Sequence, residues 1–359
     1  MRLNAQAIHK QRRRRLLAAI GAVLSALFVM QGVVPTSAMG ATRCLVKDLR
    51  TGKSSSRLQV AVDTAKTGSH LLVKGTCHGT TVIDKDLVIR GRSSSRGRPV
   101  LDGDGKGRVL RVKSSAKSTL QSLTIQDGRA KSGSGGAIVN RGKLMLYGVV
   151  VRRSRANGRG GGVYNEGNLQ INSTSDVRGN EAAAGGGVYN TGVIRLKGTS
   201  RVRGNEAAAG GGVYNTGALW LRELSRVKNN RTRPSGSGGG VHNEGVMSLR
   251  GSSRVRGNTA DVGGGVANDG GTLAMGGSNS VNDNYARLAG GVLNYAGSTL
   301  TMQGSSTIHD NGAADAGGLG NAGMLVGVKC GPGSQANVFG NTPDDCRLDW
   351  STGGLISAP

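Results

Sequence analysis

The sequence predicts an all-β fold, a parallel β-helix with about 25 residues and three short strands in each coil. The main observation is a glycine-aliphatic-asparagine phrase, GGVYN in its commonest form, which returns eight times. Successive asparagines of this phrase are 25, 25, 25, 28, 25, 26 and 27 residues apart. A period of this length indicates one supersecondary unit that stacks on copies of itself.

Each repeat contains three segments in which apolar and polar residues alternate. In the best-preserved repeat, 186–209, these segments are 188–190, 194–196 and 201–205. An alternation with a period of two is typical of strands and not of helices. Glycine and asparagine between the segments mark turns. Each strand is therefore expected to pair with its equivalent one coil away.

Equivalent side chains should lie roughly 4.7–4.9 Å apart in such a stack, and three apolar columns should fill the core. The predicted columns are Val163, Val188, Val213, Val241, Val266 and Val292; Leu144/Leu146, Leu169/Ile171, Ile194/Leu196, Leu219/Leu221, Leu273/Met275 and Leu300/Met302; and Val177, Val202, Val227, Val255, Val281, Ile308 and Val338. Two asparagine columns should form amide ladders. They are Asn140, Asn165, Asn190, Asn215, Asn243, Asn268, Asn294 and Asn321, and Asn180, Asn205, Asn230, Asn258, Asn284, Asn311 and Asn341.

A leucine-rich repeat is the competing fold, because its period also covers 20–29 residues. The glycine triplets of this chain would break the helix that such a repeat needs. Leucine is also too sparse for that pattern. The β-helix is therefore the preferred interpretation.

We expect four segments: a signal peptide at 1–41, an N-terminal cap with irregular first coils at 42–134, regular repeats at 135–329, and a C-terminal cap and tail at 330–359. The first segment has a basic start and an apolar run of 15 residues, Leu16 to Met30. That run is shorter than the ~20 residues that span a bilayer, so cleavage is favoured over a short signal anchor. An amphipathic stretch at 58–65 predicts a cap helix.

The four cysteines lie near the two ends of the expected solenoid. Three pairings are possible in principle. Only Cys44–Cys77 with Cys330–Cys346 avoids bringing the two ends of a long stack together. Disulfides persist in oxidising compartments, so this pairing fits an exported protein, either secreted or on the cell surface.

The Gly-Gly-aliphatic phrases, together with V-x-x-N segments such as 202–205 and 255–258, resemble the polymorphic outer-membrane protein repeat family of chlamydial type. That family is marked by GG[AILV] and FxxN, and valine or isoleucine replaces phenylalanine here. The chain is also similar to secreted right-handed β-helix repeat proteins of actinobacterial type. The resemblance covers 135–341. It implies a right-handed, pectin-lyase-like β-helix and a surface or adhesin-like role. We do not expect the translocator barrel of the chlamydial proteins in a chain of this length, so simple export is the preferred interpretation.

The formal charge is +26, and without the six cations of residues 1–41 it is 26 − 6 = +20. Many of these charges flank the inward valines of the third strand. Stacking should arrange them as a ladder of Arg178, Arg201, Arg203, Arg226, Lys228, Arg254 and Arg256, with Arg152, Arg153 and Arg155 in the preceding coil. Guanidinium groups favour phosphate, sulfate and carboxylate. The ladder predicts binding of an anionic polysaccharide or cell-wall polymer, and of extracellular DNA without sequence specificity; the alternative is a solvated face that prevents aggregation.

Three tyrosines, Tyr164, Tyr189 and Tyr214, occupy one position in successive coils. Pointing outward, they would form either a stabilising ladder or an aromatic platform for sugar rings. The ladder is the preferred interpretation, because aromatic residues make up only 3% of the chain.

Catalysis must be considered, because parallel β-helices include polysaccharide lyases and glycosidases. Glu181 and Glu206 are expected as isolated acids in the EAAA turn, and His242 as a surface histidine. The segment 102–105 is similar to the start of a calcium loop, but no further acid follows at the required spacing, so a turn is expected. We therefore predict a protein without catalytic residues, metal or cofactor. A lyase or glycosidase is the alternative.

Overall fold

A computed structural model describes residues 43–95, 97–332 and 337–348. Within them, parallel strands form a β-solenoid of about ten turns with about 26 residues in each turn. The predicted parallel β-helix is therefore confirmed. The predicted signal peptide at 1–41 and the end of the tail, 349–359, lie outside the described residues.

Three long sheets, named S1, S2 and S3 after the order of their strands in a repeat, run along the stack. S1 contains Thr81–Ile83, Leu110–Val112, Ile138–Asn140, Val163–Asn165, Val188–Asn190, Val213–Asn215, Val241–Asn243, Val266–Asn268, Val292–Asn294, Leu319–Asn321 and Cys346–Leu348. S2 contains Leu45–Asp48, Ser54–Ser55, Ser69–Lys74, Leu87–Gly91, Lys117–Gln121, Lys143–Tyr147, Asn168–Asn172, Val193–Leu196, Ala218–Leu221, Val246–Gly251, Thr272–Gly277, Thr299–Gln303 and Met324–Val326. S3 contains Thr76–His78, Val100–Asp102, Thr124–Gln126, Val150–Arg152, Asp176–Arg178, Arg201–Arg203, Arg226–Lys228, Arg254–Arg256, Ser280–Asn282, Thr307–His309 and Val338–Phe339.

A fourth sheet, S4, was missed by the sequence analysis. It forms where a turn was expected, at the EAAA segment and its equivalents. Its strands are Glu206–Ala209, Arg231–Ser237, Thr259–Val262, Tyr285–Leu288 and Gly312–Asp315, and the pair Arg129–Ala130 and Arg155–Ala156 precedes them in the same column. The buried Ala130, Ala156 and Ala182 are too small to mark a strand by hydrophobic alternation, which explains the error.

All members of the three predicted core columns are buried, with at most 3% of any residue exposed. The register is preserved from coil to coil, so valine stacks on valine and leucine on leucine. Burial of each such side chain contributes about 1.5–3 kcal/mol. The core is thus one continuous cluster that grows by addition of coils.

The paired glycines of the repeat are required by close packing. A Cβ atom on Gly187 would lie 2.6 Å from the carbonyl oxygen of Gly212 and 2.9 Å from the amide nitrogen of Asn205. The preceding Gly185 has φ +63°, a left-handed backbone conformation that is unfavourable for residues with a Cβ atom. Glycine is therefore part of the coil's geometry and carries no direct information on function.

The N-terminal end of the stack is closed by antiparallel pairing and a helix. Leu45–Asp48 pairs antiparallel with Ser54–Ser55 on one side and Ser69–Lys74 on the other. The helix α1, Leu58–Thr64, packs against Thr81–Ile83 and confirms the predicted cap helix. Its buried residues are Leu58, Ala61 and Val62. The cap blocks an edge that could otherwise pair with another chain.

Both predicted disulfides are present. Cys44 and Cys77 have Cα atoms 4.6 Å apart, and Cys330 and Cys346 have Cα atoms 5.9 Å apart. Each bond therefore ties a terminal segment to a neighbouring coil, at the ends where a solenoid frays most easily.

Candidate functional site

The predicted cations meet on the outward face of S3, where the parallel register places them in two rows. One row contains Arg201, Arg226 and Arg254. The other contains Arg152, Arg178, Arg203, Lys228 and Arg256. We call these eight residues the basic stripe. All seven residues of the predicted ladder belong to it, together with Arg152 of the preceding coil. The other two cations expected in that coil lie elsewhere: Arg153 pairs with Asp127, and Arg155 lies on S4 beside Glu181. With four coil steps from Arg152 to Arg256, the stripe is roughly 19 Å long at the usual strand spacing.

The local cause of this arrangement is the alternation of the strand. In Arg201–Arg203 the central Val202 is fully buried, so its two neighbours must point to the opposite face. The same pattern holds in Arg226–Lys228 and Arg254–Arg256. Repetition of one three-residue segment thus builds the whole stripe.

One carboxylate, Asp176, lies within the stripe at the start of the first row. Only 5% of this residue is exposed. Arg203 donates to it through Nε, 3.0 Å from each carboxylate oxygen, and through Nη2 at 2.7 Å. The Nε atom of Arg178 lies 3.7 Å from Oδ2. Asp176 thus fixes Arg203 and leaves the stripe with a charge of 8 − 1 = +7.

The remaining cations repel one another. Burial, and then the charges of Arg256, Arg201, Arg203 and Arg226, lower the pKa of Lys228. Burial, followed by Arg153 and Arg178, likewise lowers the pKa of Arg152. In the described part of the chain, the buried Nε atoms of Arg178, Arg201 and Arg256 have no hydrogen-bond partner. A bound polyanion would relieve this unfavourable concentration of like charge.

Toward the N-terminus, the second row continues through Gln126 and Asp102 to His78. Arg152 donates to Oε1 of Gln126, and Gln126 donates to Asp102 at 2.8 Å. Nδ1 of His78 lies 2.7 Å from Oδ1 of Asp104. His78 was not predicted as part of this group, because its proximity to Asp102 depends on the register between coils.

These three residues are the described group most suited to a metal ion, because one ligand atom from each of His78, Asp102 and Asp104 falls within 4.8 Å of the others. Several of their atoms already have partners, however. Oδ1 of Asp102 accepts the backbone N–H of Asp104, and Oδ2 accepts the amide of Gln126. Asp104 has φ +53°, as expected for the predicted turn. The cluster thus forms the N-terminal end of the second row, where acidic residues and His78 take the place of arginine.

The three predicted tyrosines form a stack on the outward face of S1. Ring centroids lie 5.7 Å apart for Tyr164 and Tyr189, and 4.9 Å apart for Tyr189 and Tyr214. His242 extends the stack at 4.5 Å from Tyr214. The guanidinium carbon of Arg159 lies 4.9 Å from the ring centroid of Tyr189. Since Tyr189 and Tyr214 have a ring on each side, Tyr164 is the tyrosine left with a face for a ligand.

The prediction that His242 is a surface histidine is wrong. Only 6% of it is exposed, and its Nδ1 lies 2.9 Å from the hydroxyl of Ser237. Burial lowers its pKa, an effect that the nearby Glu244 and Asp269 oppose. The repeat pattern does not reveal this, because Ser237 stands where the adjacent coils have Ala209 and Val262, which offer no hydroxyl group.

Replacing His242 by phenylalanine is expected to reduce the loss of stability on acidification from about pH 7 to pH 5. The unfolded imidazole binds a proton near its ordinary pKa of 6.5, whereas the folded one resists protonation until lower pH. The unfolded state therefore binds more protons in this range, and stability falls as the pH falls. Urea denaturation midpoints at both pH values provide the measurement. Equal losses of stability in wild type and variant would contradict the assignment of this pH dependence to His242.

The prediction that Glu181 and Glu206 are isolated acids in a turn is also wrong. Arg155 and Arg233 lie 3.1 and 2.7 Å from Glu181, and Arg231 lies 2.5 Å from Glu206. Arg233 comes from the insertion within Arg231–Ser237, which explains the 28-residue step in the repeat. These carboxylates act as ion-pair partners on S4.

Comparison with known proteins gives no relative: no family model, no curated protein and no solved structure matches the chain. Within the described ranges, no helix is sufficiently long and apolar to traverse a bilayer. The chemistry of the exposed faces is therefore the guide to function.

Proposed function

We propose that this is an exported, non-catalytic, surface or adhesin-like β-helix that binds linear polyanions through the basic stripe. The supporting observation is the alignment of eight cations in two rows with a single paired carboxylate among them. The two disulfides are consistent with an oxidising, extracellular location.

The expected partner is an anionic polysaccharide or cell-wall polymer. Each cation is one contact, and repetition at strand spacing along one polymer gives avidity from individually weak contacts. Arginine offers forked donors that suit sulfate, phosphate and carboxylate alike. Extracellular DNA would bind through its phosphates without selection of sequence. The resemblance to polymorphic outer-membrane protein repeats agrees with a role at a surface.

The test is retention of the folded protein on heparin, teichoic acid and duplex DNA resins over a salt gradient. Retention at low salt that falls steeply as salt rises would support the proposal, because release of counterions drives such binding. Absence of retention at low salt, or retention unaffected by salt, would overturn it. Depolymerisation of pectate, alginate or chondroitin by the protein with calcium would overturn the non-catalytic part.

Replacing Asp176 by asparagine is expected to strengthen polyanion binding while it destabilises the fold. The stripe charge rises from +7 to +8, whereas Arg203 loses its charged acceptor. Since Arg203 is partly exposed, we expect a stability loss of about 1–2 kcal/mol. Urea denaturation and heparin titration at low salt measure the two effects.

Asp261→Asn is the matched control, because Asp261 pairs with Arg287 on S4. It makes the same change in net charge away from the stripe. An equal gain in heparin affinity in both variants would indicate a response to overall charge and not to the stripe.

A further inference from the structure

A groove of about 600 Å³ lies on the outward face of S1, in the coils before the tyrosine stack. The register places Val82, Arg111, Val139 and Tyr164 in one column along it. The groove belongs to a different sheet from the basic stripe, and it combines apolar side chains with charged ones. It is therefore a second place where a ligand could bind.

The groove carries three cations that have no carboxylate partner among the described residues. Its acid, Glu166, accepts a hydrogen bond from Nε of Arg141 at 2.5 Å, so these two charges compensate each other. Arg108 donates only to backbone carbonyls, through Nε to Ser134 at 2.9 Å and through Nη2 to Ser132 at 3.3 Å. Burial and the charge of Arg111 lower the pKa of Arg108.

Arg111 and Lys113 are the other two cations. Both are exposed, and neither side chain has a hydrogen bond or an ion pair among the residues that the structure describes. The buried Val112 separates them in sequence, so strand alternation directs both side chains outward. Arg111 and Lys113 thus place uncompensated positive charge along one wall of the groove, where an anion could bind.

Tyr164 supplies an aromatic surface at the other end of the groove. Tyr189 stacks on one side of its ring, with centroids 5.7 Å apart. On the other side the register neighbour is Val139, whose side chain is too short to cover the ring. A flat, largely apolar ring face with a nearby carboxylate and guanidinium suits a sugar, which has apolar C–H faces and hydroxyl groups around its edge.

We propose that this groove binds a phosphorylated sugar. Arg108, Arg111 and Lys113 face the phosphate, and the ring of Tyr164 packs against the sugar. Three cations exceed the needs of one carboxylate, whereas a phosphomonoester has nearly two charges and three strong acceptor oxygens. The Arg141–Glu166 pair offers a donor and an acceptor to the hydroxyl groups.

Isothermal titration calorimetry of the full chain with glucose 6-phosphate, inorganic phosphate, glucuronate and adenosine monophosphate tests this site. Saturable binding of glucose 6-phosphate is expected, with inorganic phosphate and glucuronate each at least about tenfold weaker. The double variant Arg111→Gln/Lys113→Gln should bind glucose 6-phosphate at least about tenfold more weakly. Tyr164→Leu should weaken glucose 6-phosphate and leave inorganic phosphate unchanged.

The stripe variant Arg226→Gln/Lys228→Gln/Arg254→Gln is the control, and it should retain glucose 6-phosphate binding. Because this variant should impair only polyanion binding, it distinguishes a failure of the groove proposal from a failure of the proposed function. Unchanged thermal unfolding will establish that each variant is folded. The proposal is overturned if folded wild type does not bind glucose 6-phosphate, if glucuronate binds equally well, or if adenosine monophosphate binds more tightly.

Discussion

Replacing Arg226, Lys228 and Arg254 together by glutamine is expected to lower the affinity for heparin by at least about tenfold at low salt. The side chains of these three cations have no hydrogen bond or ion pair within the described part of the chain, so their loss exposes no buried acid. Arg203 is retained because it holds Asp176. The slope of log affinity against log salt should fall by roughly one for each cation that contacts the polymer.

The ends of the S2 strands offer a control with the same charge. Lys197, Arg222 and Arg250 occupy one register position, at or just after the end of equivalent S2 strands, in three successive coils, the last two of which carry Arg226, Lys228 and Arg254. Their triple replacement by glutamine removes three positive charges outside the stripe. A smaller effect of this control on affinity and salt slope supports the stripe as the site. Equal effects from both triple variants would show that binding depends on net charge alone.

The core and the ladders could be predicted because the repeat itself identifies equivalent residues. Once Val188 and Val213 are recognised as the same position, stacking follows from the strand spacing. The same reasoning located the stripe, since Arg203 and Lys228 occupy one position in successive coils. Side-chain direction then follows from alternation alone.

The features that were not predicted depend on contacts that do not recur from coil to coil. Arg233 reaches Glu181, 52 residues earlier, from an insertion that occurs in one coil. His242 takes the place of a tyrosine and pairs with the hydroxyl of Ser237, which replaces Ala209 of the preceding coil. Asp176 occupies a position that arginine holds in later coils, so its pairing with Arg203 follows from register and not from sequence proximity.

Both predicted asparagine ladders are confirmed, and each has a direction. In the first, every Nδ2 donates to the Oδ1 of the next coil, from Asn140 to Asn321. Within the described ranges, Oδ1 of Asn140 has no hydrogen-bond partner, since Val112 occupies the equivalent position in the coil before it. The second ladder ends on the carboxylate of Asp345, which accepts from Asn341 at 3.1 Å. Aligned amides of this kind strengthen one another in a buried environment.

Replacing Asn230 by alanine is expected to destabilise the protein by about 3–6 kcal/mol, since it leaves several buried groups unpaired. Nδ2 of Asn230 donates to Oδ1 of Asn258 at 3.0 Å and to the carbonyl of Val202 at 3.1 Å. Its Oδ1 accepts from the side-chain and backbone nitrogens of Asn205 at 2.9 and 3.0 Å. Urea denaturation followed by circular dichroism and by tryptophan fluorescence measures the change, because Trp220 lies in the same coil.

Asn229→Gly is the matched control for this variant. Asn229 is exposed with φ +52°, and the equivalent positions in adjacent coils already carry Gly204 and Gly257 with φ +58° and +62°. Glycine accepts this conformation without strain, so the control should unfold within about 0.5 kcal/mol of wild type. Coils interact mainly with their neighbours, so Asn230→Ala should lower the fluorescence midpoint at least as much as the circular dichroism midpoint. If Asn230→Ala is as stable as the control, the ladder is a consequence of the stacking of coils and contributes little to the stability of the fold.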